Sequence, residues 1–217
     1  FGGFFILVHQ KIGCVGNKDT LSPEIYIYLL CIKLKLLEIK RIVITGGPGS
    51  GKTALINYLE KEGYQVMHEI SRDVILQAQK EGIEQLFLEN PILFSEKLLE
   101  GRLKQFHEGK NCASPVLFYD RGMPDVTAYM DFVDTHYPVN FSETCENYKY
   151  DAVFVLPPWE EIYQQDNERY ESYDQAEKIF HFLKNGYEKF GYKIIEVPVG
   201  PIKDRVDFIL KNLNNIL

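Results

Sequence analysis

Cysteine is scarce and scattered in this chain. Cys14, Cys31, Cys112 and Cys145 include no CxxC pair, and no histidine stands at a ligand interval from any of them. That excludes a disulfide framework and a zinc-type centre, and reads as reduced thiols in a cytoplasmic protein. Long hydrophobic runs are missing too. Residues 25–32 are apolar, but Lys33 and Lys35 cut the run short of the ~18–20 residues that a membrane span needs. Residues 1–8 are apolar without a preceding basic region or a convincing cleavage site, so they do not read as a signal peptide. The third shortage is positive charge. The formal net charge is −7; residues 1–40 hold five Lys and three acidic side chains, a net +2, which leaves −9 for the remainder. A domain of that sign has no cationic surplus with which to release counterions from nucleic acid. Nucleic acid is excluded as a general partner, and any phosphorylated ligand must meet a local concentration of donors.

What is present divides unevenly. Residues 1–40 lack a clear helix or strand period and are read as an N-terminal extension, upstream sequence read through ahead of a start near Glu38. The alternative is a peripheral strand or helix packed on the domain. An Asn17-Lys18-Asp19 triplet there is no guanine-recognition loop, because its Asp falls one place early and it precedes the phosphate loop. Residues 41–217 are read as one domain, a length sufficient for a substantial core.

The chemistry starts at Arg41. A β-branched run to Thr45 suits a buried strand. It is followed at once by Gly46, Gly47, Pro48, Gly49, Ser50, Gly51, Lys52 and Thr53, a full match to GxxxxGK[ST]. Residues 54–61 then carry Leu55, Ile56 and Leu59 at helical spacing. Strand, glycine loop and helix together are the context that this motif requires. Glycines let the backbone approach a phosphate closely, and converging N–H groups at a helix N-terminus hold its charge. Lys52 is expected to reach the β- and γ-phosphates, and Thr53 to offer its hydroxyl to Mg²⁺. The nucleotide is expected to be ATP, with GTP left open.

A second apolar strand, residues 116–120, ends in Asp120, 68 residues after Lys52. A carboxylate at the end of a neighbouring parallel strand faces the same crevice and can hold Mg²⁺. Arg121 follows it, as a cation beside the phosphoryl acceptor or as the partner of an internal salt bridge; Asp125 is a helix cap or a substrate contact. Residues 64–68 read as another strand, with Glu69 at its end. Glu69 could accept a proton from, or orient, an attacking hydroxyl; an i,i+3 pair with Arg72 is the plainer alternative.

A fourth strand at 152–156 stops at Pro157 and Pro158. Beyond it, Arg169 sits in a polar turn ahead of a helix from about Asp174 to Phe190. That position suits a mobile arginine closing on transferring phosphate, although Asp166, Glu168 and Glu171 make a surface ion pair a fair alternative. The last strand, 193–197, leads through Val199-Gly200-Pro201 into a helix over 203–213; this loop would touch a base or simply make the turn.

These pieces together carry a resemblance over residues 41–213. The phosphate loop, Glu69-Ile-Ser-Arg72, Tyr119-Asp-Arg-Gly-Met-Pro-Asp125, Tyr163 with Arg169 and Glu171, and Val197-Pro198 with Arg205-Val206 resemble the NadR-type AAA ATPase-domain family. That family is related to nicotinamide riboside kinase and more distantly to thymidylate and deoxynucleoside kinases. The resemblance implies an α/β P-loop NTPase fold like that of nucleoside-monophosphate kinases: a five-stranded parallel sheet in order 2-3-1-4-5 with helices on both faces. It also implies the roles argued above for Lys52, Thr53, Asp120, Arg121 and Arg169. The expected activity is Mg²⁺-dependent phosphoryl transfer from ATP to a small nucleoside-like acceptor. The alternative is a regulatory or sensor ATPase with slow hydrolysis and no such acceptor.

Overall fold

The structure, a computed structural model, describes Ile27 and residues 39–84, 86–163 and 172–214. Its contacts divide the chain into units 1–38 and 39–217. Of the first, only Ile27 is among the described residues.

In the second unit, five strands alternate with helices. They are β1 (Lys40–Gly46), β2 (Gln65–Met67), β3 (Val116–Asp120), β4 (Ala152–Leu156) and β5 (Ile194–Glu196). All pairings are parallel, in the order β2-β3-β1-β4-β5. Parallel strands covered on both faces read as near-continuous apolar runs, and β1, β3 and β4 do so. Side-chain alternation then sorts each run into two cores. Ile42, Ile44, Phe118 and Phe154 face one side, packed with Leu55, Ile56 and Leu59 of α1 (Lys52–Lys61) and Val206, Ile209 and Leu213 of α8 (Ile202–Leu213). Val43, Leu117, Tyr119, Val153 and Val155 face the other. There they meet α4 (Pro91–Glu108), α5 (Met123–Phe132) and α7 (Tyr173–Lys189).

Shorter helices complete the crossovers: α2 (Ser71–Lys80), α3 (Leu86–Glu89) and α6 (Val139–Asn147). Local chemistry sets several helix starts. The Asn90 side chain accepts the Leu93 N–H at 3.0 Å ahead of Pro91, which opens α4. Ser172 and Gln175 form a reciprocal capping box at α7. Where α5 and α7 cross, a Cβ on Gly186 would stand 2.7 Å from the Ala128 Cβ, so glycine allows the close approach. One consequence matters for function. In a parallel sheet every strand delivers its carboxyl end to the same edge, so Gly46, Glu69, Asp120 and the loop after β5 all come to one crevice.

Candidate functional site

The loop from Gly46 to Thr53 leaves β1 and enters α1. Gly49 and Gly51 have φ of +70° and +72°, the left-handed region that a side chain disfavours. The Ser50 hydroxyl donates to the Gly47 carbonyl at 2.8 Å, and a Cβ on Gly46 would stand 2.8 Å from that Ser50 Oγ. The loop is thus a tight cradle that side chains would fill. The backbone N–H of Trp159 donates to the Gly49 carbonyl at 3.1 Å, and the ring of Tyr163 lies against Gly49.

Lys52 is the first residue of α1 and is buried. Its ammonium donates to the carboxylate of Asp120 at the end of β3. Burial is the leading cause that lowers the Lys52 pKa; the charge of Arg121 acts the same way, against the pull of Asp120. Thr53, one residue on, is exposed on the first turn. The structure therefore brings together Lys52 and Asp120, which the sequence placed 68 residues apart.

Arg121 does not pair with its neighbour Asp120. It adopts φ of +72°, a conformation costly for a residue with a Cβ. Its N–H donates to the Ile44 carbonyl at 3.0 Å, which helps to fix that turn. The side chain then reaches sideways. Nε lies 2.7 Å from Glu69 Oε2, and Nη1 lies 3.3 Å from Asp125 Oδ1. The guanidinium carbon stands 5.4 Å from the centre of the Tyr129 ring.

Glu69 has further partners. Its Oε1 accepts the N–H groups of Ile70 at 2.9 Å and Ser71 at 3.1 Å, at the start of α2. Arg102 of α4 sets Nη2 at 3.2 Å from each carboxylate oxygen and donates from Nη1 to the Gly122 carbonyl at 2.9 Å. Burial alone would raise the Glu69 pKa; Arg102 and Arg121 overcome it and hold the carboxyl at about 2. Such a carboxylate is a weak proton acceptor and a strong fixed point for two arginines.

Asp125, open between cap and substrate contact in the sequence, is fully buried. It accepts the Gly122 N–H at 2.9 Å, capping α5 from within. The hydroxyls of Thr45 and Tyr187 also donate to it. One carboxylate thereby ties β1, α5, α7 and the Arg121 turn together.

Arg102, Tyr187 and Thr45 were not singled out from the sequence as members of this site, and Arg205 entered only as part of the resemblance. The signal available for Arg102 and Arg205 was charge at apolar helix positions, since a lone arginine inside an amphipathic stripe implies a buried partner. Arg205 donates to the Ser50 carbonyl at 2.9 Å from beneath the loop. Arg169, the expected phosphate-closing arginine, lies outside the described residues, as do Asp166, Glu168 and Glu171. The loop at Val199, Gly200 and Pro201 follows β5 at the same sheet edge, with Val199 exposed.

Comparison with known proteins agrees with this architecture. The model of the family described as "AAA domain" matches residues 41–205. Among solved structures, the NadR protein in complex with NAD and AMP-PNP aligns at a TM-score of 0.63 with 16% identity, over 89% of this chain and 57% of that one. The NadR protein in complex with NR aligns at 0.60 with 16% identity, over 82% and 49%. At that identity the likeness is one of fold, and this chain spans about half the length of the NadR chains. No curated protein sequence matches it.

Proposed function

The chain belongs to the AAA domain family, and from that premise we propose that it is a Mg²⁺-dependent phosphotransferase acting from ATP on a small nucleoside-like acceptor. One observation carries the reading: the crevice has two sides joined through adjacent residues. Asp120 turns to Lys52 of the phosphate loop, and Arg121 turns to Glu69 at the end of the neighbouring strand. A binding module would need the first side alone.

The residues fit a nucleotide and its metal. Left-handed glycines and the N-terminus of α1 suit a phosphate chain, with Lys52 as its side-chain cation. Among the described residues, no three His, Cys, Asp or Glu side chains gather as a metal centre. A Mg²⁺ would be held by Thr53 and Asp120 together with phosphate oxygens, where it would neutralise charge developing on the phosphoryl group. Taking up the nucleotide must then part Lys52 from Asp120, with the ammonium going to phosphate and the carboxylate to the cation. On the other side, Arg121 faces the acceptor, and Glu69, being weakly basic, orients Arg121 and the acceptor hydroxyl. Arg169 is assigned the closing cation on the sequence argument given above. The NadR structures hold NAD, AMP-PNP and NR, which supports nucleotide-like ligands for this fold. No helix among the described residues is long and apolar enough to cross a membrane, and we place the protein in the cytoplasm.

A second reading, a regulatory ATPase without an acceptor, is favoured by the low basicity of Glu69. Turnover separates the two. ATP consumption with Mg²⁺ should be measured against a panel of nucleosides, ribosides and nucleoside monophosphates, with products identified. Stoichiometric formation of a phosphorylated acceptor supports the transferase; slow hydrolysis that no acceptor accelerates supports the sensor.

A further inference from the structure

In a domain this acidic, each cation at the phosphate loop matters. Lys52 is one, and Asp120 balances it. Another stands behind the loop. Arg205, on the first turn of α8, is 2% exposed. Its Nη2 donates to the Ser50 carbonyl at 2.9 Å, and its Nη1 lies 2.9 Å from where a Cβ on Gly51 would be. Among the described residues its Nε has no hydrogen-bond partner, and no carboxylate pairs with the guanidinium. Burial lowers its pKa. The arginines on the acceptor side are placed differently: Arg102 meets Glu69, and Arg121 meets Glu69 and Asp125. A buried cation without a counter-charge is costly. This one adjoins the backbone of a loop whose front suits an anion.

We propose that Arg205 is a positioning residue for the nucleotide's phosphate chain: it fixes the Ser50–Gly51 peptide so that the loop N–H groups face the phosphates, and its charge, which no described carboxylate balances, is answered when they bind. The inference rests on the nucleotide reading above. It adds a cation that acts through the loop without touching the ligand.

Gln and Lys at this position separate charge from shape. Either can keep an N–H donor for the Ser50 carbonyl, and only Lys keeps the charge. The full chain and both variants would be titrated calorimetrically with ATP, ADP and adenosine in Mg²⁺, with cooperative melting checked for each. Arg205→Gln should weaken ATP binding by about tenfold or more and adenosine binding by less than about threefold, with ADP between. Arg205→Lys should stay within about threefold of wild type for all three ligands. An Arg205→Gln variant that binds ATP as wild type does, or equal losses in the Gln and Lys variants, overturns the charge role. If the Gln variant does not fold, the Lys variant decides. Retained ATP affinity and retained preference over adenosine support the role; a loss as large for adenosine as for ATP overturns it. A wild-type chain that binds neither ATP nor ADP removes the nucleotide reading, and this inference with it.

Discussion

Arg121 Nε lies 2.7 Å from Glu69 Oε2, across the gap between the ends of β3 and β2. With Arg102 on the same carboxylate, the pair makes Glu69 an acid-sensitive fastening. Its carboxyl is held at about 2, below its ordinary 4.5. A depressed carboxyl pKa stabilises the fold fully above the unfolded value, and the contribution is lost as pH falls toward the folded value. The wild type should therefore lose about 3 kcal/mol between roughly pH 4.5 and 2 from this group. Glu69→Gln should start less stable at neutral pH and show a shallower fall in melting temperature across that window. Parallel pH profiles for the two proteins would contradict the assignment.

Asp125 gives a test at a fully buried carboxylate. Removing it strands the hydroxyls of Thr45 and Tyr187 and one end of Arg121. Asp125→Ala should cost about 3–5 kcal/mol in urea unfolding, the range for breaking one partner of a buried charged network. A cost below about 1 kcal/mol would contradict its role as the tie of this buried network.

Much of the fold was legible because the strands speak locally. The β-branched run before Gly46 and the run ending in Asp120 are buried from both sides, so their composition alone marks them, and the parallel order follows from the family likeness. Lys52 and Asp120 were legible for the same reason, since one motif and one strand end fix their places. The Glu69–Arg102–Arg121 cluster was not. Its members come from three separate elements, and the local pattern offered Arg72 as the partner within reach. Which arginine meets which carboxylate depends on helix packing, and neither spacing nor propensity encodes that. The left-handed turn at Arg121 was hidden too, because that conformation is normally signalled by glycine or asparagine.

Asp120→Asn bears on the metal. An amide is a poorer ligand for a hard cation, so the variant should bind ATP with little dependence on Mg²⁺ and should not turn over. Nucleotide titrations with and without Mg²⁺ check this; undiminished Mg²⁺ dependence would place the metal elsewhere.

The N-terminal extension is tested by a chain beginning at Glu38. The contact division falls after that residue, and β1 with the whole described site follows it. The shortened protein should melt cooperatively within a few degrees of the full chain, about the change expected from a loss of 1 kcal/mol. An insoluble product, or loss of most of the thermal stability, would make residues 1–37 part of the core.

The most direct test is calorimetric titration of the full chain with ATP in the presence of Mg²⁺, beside Lys52→Ala. Lys52 spends its ammonium on Asp120, not on core packing, so the variant should keep its cooperative melting. Wild type should bind ATP at micromolar or tighter concentration, and the variant should bind at least about tenfold more weakly. Equal affinity in the two proteins, or no binding by wild type, would contradict the assignment of this loop as a nucleotide site.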